Sequence, residues 1–142
     1  KGIPNFAIGK GIIIRPGTDV CFLNAGSLLP SAVAASEALM EIGISVQVVS
    51  MHTVKPLDET LLQDIFSKFP HVFTLEEHSI LGGFGGSVAE WLSDQINPKG
   101  QLTRIGTGDQ FMYEAGEKEY AQEYFGISTK HIVEKVVQSM SR

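Results

Sequence analysis

Apolar residues fall along this chain in two alternating rhythms. Short β-branched runs are separated by longer stretches in which apolar positions recur every three or four residues. "GIIIR" (11–15) and "DVCFLNAG" (19–26) are runs of the first kind. The Pro-Gly-Thr between them is a turn signal, so the spacing predicts an antiparallel hairpin. From Ser27 to Gly43 the pattern turns helical, with Leu28, Ala32, Ala35, Leu39 and Ile42 on one face and Gly43 as the stop. "ISVQVVS" (44–50) is the next strand. Pro56, Asp58 and Glu59 suit the start of a second helix, which runs to about Phe69 and stops at Pro70.

"HVFTLEE" (71–77) reads as a third buried strand. A helix over about 85–96 follows, with Val88, Leu92 and Ile96 on one face and Trp91 beside them. "QLTRIG" (101–106) supplies a last strand, then come the loop "TGDQFMYEAG" and two helical segments. The final helix starts after a cap at Ser128 and carries Ile132, Val133, Val136, Val137 and Met140 as its stripe. Strands alternating with helices predict one three-layer α/β/α domain over residues 1–142. Its sheet is mostly parallel, with the first strand antiparallel.

Composition narrows the class without naming a chemistry. Hydrophobic residues make up 43% and charged residues 19% of the 142, a globular balance. The net charge is −5 and no Lys/Arg run exists, so neither nucleic acid nor an anionic membrane is an expected partner. No apolar run approaches the roughly 18–20 residues that span a bilayer. Cys21 is the single cysteine, so no internal disulfide can form, which suits a reducing cytoplasm. "KGIPNFAIGKG" opens without Met and reads like a segment entered midway, so the chain is expected to be a piece of a longer polypeptide.

The chemistry candidates concentrate in "TLEEHSILGGFGGSVAEW" (74–91). A strand passing through glycines into a helix is the arrangement that cradles phosphate on backbone N–H groups. Counting from Gly83, a G-x-G-x-x-G pattern needs glycine where Val88 stands, and a P-loop needs a lysine that the loop lacks. Gly82, Gly83, Gly85 and Gly86 have a structural role available instead, in turning the chain and letting helix approach sheet. Glu76, Glu77 and His78 lie at the carboxyl end of a strand, where open α/β sheets bind ligands. In extended chain Glu76 and His78 project to one side and Glu77 to the other. A Glu–His pair can serve acid–base chemistry, but no nucleophile or oxyanion site lies nearby in sequence. Carboxylates that cap orphan N–H groups, or face a neighbouring domain, are the reading these residue types favour. His52, His71 and His131 are scattered without ligand spacing, so no metal site is expected. Asp109 reads as a solvated turn residue and Cys21 as an inert core thiol.

Several stretches, taken in order, resemble the C-terminal domain of the transketolase family. They are "IGKGIIIRPGTDVCFLNAG", "VSMHTVKPLDETLL", "TLEEHSILGGFGGSVAEWL", "RIGTGDQFMYEAG" and "YFGISTKHIVEKV", and together they cover nearly the whole chain. "EEH" and "GIS" are nearest to transketolase-like proteins, including split ones; 1-deoxyxylulose-5-phosphate synthases, which more often read "EEN", and 2-oxoacid dehydrogenase beta subunits are the alternatives. The resemblance implies a mixed five-stranded sheet and membership in a thiamine-diphosphate enzyme that moves two-carbon ketol units between sugar phosphates. It implies thiamine diphosphate and magnesium bound by other domains, through a Gly-Asp-Gly motif with a later Asn. Neither part of that motif is here: Asp109 follows Gly108 but precedes Gln110, and no Asn follows Asn97. The isolated chain is therefore expected to be inactive, with no catalytic, cofactor or metal residue of its own. The implied partners are the diphosphate- and pyrimidine-binding domains, in a cytoplasmic homodimer or split-subunit heteromer. Loop 76–86 is the expected inter-domain or anion contact. A stand-alone anion-binding regulatory module is the alternative from another class, and a Glu/His hydrolase is a third.

Overall fold

The computed structural model describes residues 5–141, so residues 1–4 and 142, including the opening Lys-Gly-Ile-Pro, lie outside it. Five strands, β1 (Ile12–Arg15), β2 (Val20–Asn24), β3 (Val46–Ser50), β4 (His71–Ser79) and β5 (Gln101–Thr107), form one sheet in the order β1-β3-β2-β4-β5. β2, β3, β4 and β5 run parallel and β1 runs antiparallel. The helices are α1 (Leu29–Glu41), α2 (Glu59–Lys68), α3 (Phe84–Ser93), α4 (Lys118–Tyr124) and α5 (Thr129–Met140), and one 3₁₀ turn, Gly26–Leu28, precedes α1.

The expected hairpin does not form. β1 is antiparallel, but it pairs with β3, Ile13 opposite Val49, and β2 lies one strand further in. Burial explains the order. Every residue of β2 is buried, so it takes a central place covered on both faces, whereas β1 is half exposed and sits at the edge. The short link passes against β3: a Cβ on Gly17 would lie 2.1 Å from the Val46 carbonyl carbon. Only glycine fits that crossing.

Period-two alternation sorts the strands into two cores. Val20, Phe22, Val46, Val48, Phe73, Leu75 and Ile105 face α1 and α5. Cys21, Leu23, Val49 and Val72 face α2 and α3. These are the expected three layers.

Element ends depart from the simple stripes. Gly43 stops α1 at a φ of +85°, but Ile42 is exposed rather than core. α3 ends at Ser93, because the Asp94 N–H turns back to Trp91 O at 3.2 Å and Asn97 takes a φ of +54°. Ile96, expected on its buried face, consequently points to solvent. In α5 Ile132 and Val136 are core, while Val137 and Met140 are each 38% exposed. Ser128 occupies the N-cap position, yet its hydroxyl contacts His131 Nδ1 at 2.9 Å instead of a backbone N–H. Asp58 does cap α2, accepting from Leu61 N–H at 3.3 Å, and it also accepts from Gly11 N–H at 3.1 Å and Lys10 Nζ at 3.2 Å. That carboxylate ties the entry of β1 to the start of α2.

Candidate functional site

Chain order creates a switch point in the sheet. β2 leads to β3 on one side and β4 lies on the other, and the helices after β2 and β4 pack on opposite faces. The crevice between the carboxyl ends of β2 and β4 is where such sheets hold ligands. β4 runs two residues past the expected end at Glu77, so His78 and Ser79 join Glu76 and Glu77 as strand residues at this edge.

Alternation sends the two glutamates to opposite layers. Thr74 and Glu76 project toward α3, and Glu76 is 0% exposed. The Phe84 N–H donates to its Oε2 at 2.6 Å and the Gly85 N–H donates to Oε1 at 2.8 Å. These are orphan donors of the first turn of α3, the groups that would otherwise receive a phosphate. The chain's own carboxylate takes the anion's seat.

The glycines make room for it. A Cβ on Gly83 would lie 2.3 Å from Glu76 Oε2, and one on Gly85 would lie 2.6 Å from Thr74 Oγ1 and 3.0 Å from Glu76 Oε1. Gly82 turns the chain at a φ of +74°. Gly86 faces no such constraint, its Cβ position being 3.9 Å from the nearest atom. Gly106, in β5, completes the shell: its Cβ would stand 2.7 Å from His78 O. Sequence reasoning passed over Gly106, although a glycine inside a strand signals close backbone approach.

Glu77 points into the other layer and closes the switch-point crevice. It accepts from the Ser27 hydroxyl, from Gln122 Nε2 at 2.8 Å, and pairs with Lys118 Nζ at 3.5 Å. Lys118 also donates to Ser27 O at 3.3 Å. Burial pushes the Glu77 carboxyl up, but the Ser27 and Gln122 hydrogen bonds and the Lys118 ammonium outweigh it and hold the group below its ordinary value. Ser27, Lys118 and Gln122 were not among the expected site residues; they lie 41 or more positions away in sequence, and no local pattern joins them. The space beside Glu77, lined by Thr107, Gln122, Phe125 and Ile127, is about 180 Å³, below the ~300–1,000 Å³ of ordinary ligand pockets.

His78 lies on the Glu76 side as expected, its Nδ1 4.0 Å from Glu76 Oε2, but it is 74% exposed while Glu76 has no open surface. The pair therefore offers a substrate at most an imidazole. His52, His71 and His131 are far apart, and among the described residues no group of three His, Cys, Asp or Glu side chains is placed to hold a metal. Asp109 stands on an exposed loop. Cys21 is fully buried, and burial pushes its thiol up to about 12 despite the Gln47 contact. No described helix is long and apolar enough to cross a membrane. Among the described residues, the phosphate-shaped corner at the start of α3 is filled by Glu76.

A family model for the C-terminal domain of transketolase matches residues 9–132. The chain belongs to that family. Transketolase-type relatives agree along nearly its full length. It is 39% identical over 138 residues to the transketolase C-terminal section of Methanocaldococcus jannaschii, and 34% over 136 residues to a 1-deoxy-D-xylulose-5-phosphate synthase of Bacillus licheniformis. Each match covers 96% of this chain but only 42% and 21% of those proteins. Among solved structures, a split-gene transketolase described as an inactive beta4 tetramer superposes with a TM-score of 0.85 at 29% identity, over 96% of this chain and 44% of that one. A transketolase from Pichia stipitis, at 17% identity and a TM-score of 0.68 over 94% of this chain and 18% of that one, shares the fold.

Proposed function

We propose that this domain is an assembly part of a thiamine-diphosphate-dependent, transketolase-like enzyme that transfers two-carbon ketol units between sugar phosphates. Cofactor and magnesium are held by the diphosphate- and pyrimidine-binding domains, and this domain orients them. The observation that carries the reading is the pair of glutamates. Glu76 occupies the helix N-terminus and Glu77 the switch-point crevice, so both places where such a sheet would take a ligand are filled from within. The exposed residues of loop 76–86, His78 and Leu81, then face a neighbouring domain rather than a substrate. Against the stand-alone anion-binding alternative, two donors of the α3 N-terminus, the Phe84 and Gly85 N–H groups, are already taken by Glu76. Calorimetry tests the proposal: thiamine diphosphate with magnesium should give no binding heat with this chain alone and stoichiometric binding with the intact enzyme. Stoichiometric binding to the chain alone would overturn it.

A second reading, a 1-deoxyxylulose-5-phosphate synthase, is favoured by the 34% relative. Carbon dioxide release separates the two. A synthase decarboxylates a 2-oxoacid donor in each turnover, whereas ketol transfer between sugar phosphates releases none.

A further inference from the structure

We infer that the whole carboxyl edge of the sheet is a docking face for the domain that precedes this one in the enzyme, gripped at its two ends. This rests on the assembly role proposed above and moves the grip away from the glycine corner. At one end the chain entering β1 is pinned beside the end of β3. The Gly9 N–H donates to Thr53 Oγ1 at 3.1 Å, the Phe6 ring lies 3.9 Å from the His52 ring, and His52 Nε2 contacts Ala7 O at 3.0 Å. Phe6 and Ile8 nevertheless stay exposed, with Val54 beside them in sequence order after β3. At the other end, the loop after β5 carries Phe111 and Tyr113 at 83% and 91% exposure. Leu81, also exposed, stands between the two ends at the close of β4.

Large apolar side chains gathered on one edge mark an interaction surface, and aromatic residues are the usual anchors. Four strand spacings of about 4.8 Å separate the two ends, roughly 19 Å. With the sheet and a helix layer on each face, three layers of about 10 Å apiece, the edge offers roughly 600 Å² in plan, somewhat under the ~800 Å² per partner of a stable interface. Among the described residues, the large apolar groups exposed toward the opposite edge are aliphatic, Met40, Ile42 and Ile96 among them.

The occupant follows from the family and the topology. The matched family is a C-terminal domain, so the remainder of the enzyme joins through the residues that lead into β1. β1 is antiparallel, which puts that entry on the carboxyl edge beside Phe6 and Ile8. The matched relatives are more than twice as long as the segment they share with this chain. Charge adds a preference. Residues 109–119 hold Asp109, Glu114, Glu117 and Glu119 against Lys118 alone, which is itself paired with Glu77. The facing surface should be basic, and docking should weaken with salt.

Hydrogen–deuterium exchange on the intact enzyme tests this. Amides of residues 52–54, 78–82 and 108–116 should be protected there. Phe111→Ser with Tyr113→Ser should speed their exchange at least tenfold while α5 amides stay unchanged. Met40→Ser with Ile42→Ser, on the opposite edge, should leave them protected. Unaltered protection in the loop variant, or equal loss in the opposite-edge variant, overturns the inference. Protection that appears in this chain alone and grows with its concentration assigns the face to a second copy, and also overturns it. Failure of the intact enzyme to bind thiamine diphosphate, with this edge still protected, would sink the functional proposal while leaving the docking face standing.

Discussion

Residues 76–86 and residues 108–117 both lie where strands end at the carboxyl edge, yet they spend their chemistry in opposite directions. The first stretch holds two carboxylates, an imidazole and four glycines, and nearly all of it is turned inward. Glu76 caps α3, Glu77 ties Ser27, Lys118 and Gln122 together, and three of the four glycines serve the turn or the space around Glu76. The second stretch has no regular structure and leaves two aromatic rings in water. A polar group satisfied inside the fold contributes to stability, whereas an apolar group left outside gains free energy only when a partner arrives. The glycine corner is thus the structural region and the aromatic loop the interacting one.

The hardest blow to that comparison is Glu76→Ala. It strands two buried N–H donors and empties the shell, so it should cost about 3 kcal/mol or more of unfolding free energy. Denaturant unfolding at neutral pH measures it. Because the vacated seat is an anion site, acetate should raise the melting temperature of the variant but not of the unaltered protein. If Glu76→Ala unfolds like the parent, the corner is not structural.

Next come two neighbouring glycines that look alike in the sequence. Gly85→Ala drives a methyl to within 3.1 Å of Thr74, Glu76 and Arg104 and should destabilise by about 1–3 kcal/mol. Gly86→Ala makes only an ordinary contact inside α3, with Ile80 O at 3.9 Å, and should be neutral or stabilising by up to about 1 kcal/mol. Thermal melts of the two variants should bracket the parent. The same sign for both would mean that the glycines do not make room for Glu76.

The contrast between these glycines marks how far the residues could be read alone. Helices and strands were legible because their periods are local, and the alternation that separates Glu76 from Glu77 follows from a strand's period of two. What each glutamate meets was not legible. Glu76 needed the turn that brings α3 back onto β4, and Glu77 needed α4, whose Lys118 and Gln122 are distant in sequence. The hairpin expectation failed for a related reason. A Pro-Gly turn reports local bending, but which strand β1 joins depends on β2 being buried on both faces. Ile42 and Ile96 extend their helical stripes past the rim of the core, where the period persists and the burial does not.

A smaller effect, on pH, tests the Glu77 tie. Glu77 and Asp58 are both held below their ordinary values of 4.5 and 3.8, Asp58 because hydrogen bonds from Gly11, Leu61 and Lys10 outweigh its burial. On acidification the unfolded chain takes up those protons first. Their stabilisation is therefore complete above the ordinary carboxyl values and lost as pH falls through the lowered folded ones. Stability should stay level from pH 7 to about 5 and decline below, as far as these groups govern it. Glu77→Gln should cost about 1 kcal/mol at pH 7, since the group is partly open to solvent, and should make the acid decline shallower. An acid limb unchanged in Glu77→Gln would show that the tie to Lys118 and Gln122 does not matter.

The least stability change is expected where the exposed apolar surface is greatest. Phe111 and Tyr113 bury little of themselves in this domain, so Phe111→Ser and Tyr113→Ser should each shift its unfolding free energy by less than about 0.5 kcal/mol. The same substitutions should cost the intact enzyme its domain docking, because an exposed ring contributes its area only when a partner covers it. Differential scanning calorimetry of this chain, set beside exchange protection in the intact enzyme, separates the two effects. A loss of several degrees in the chain alone would mean that the loop packs on its own domain, and the distinction between an inward corner and an outward loop would fail at its outward end.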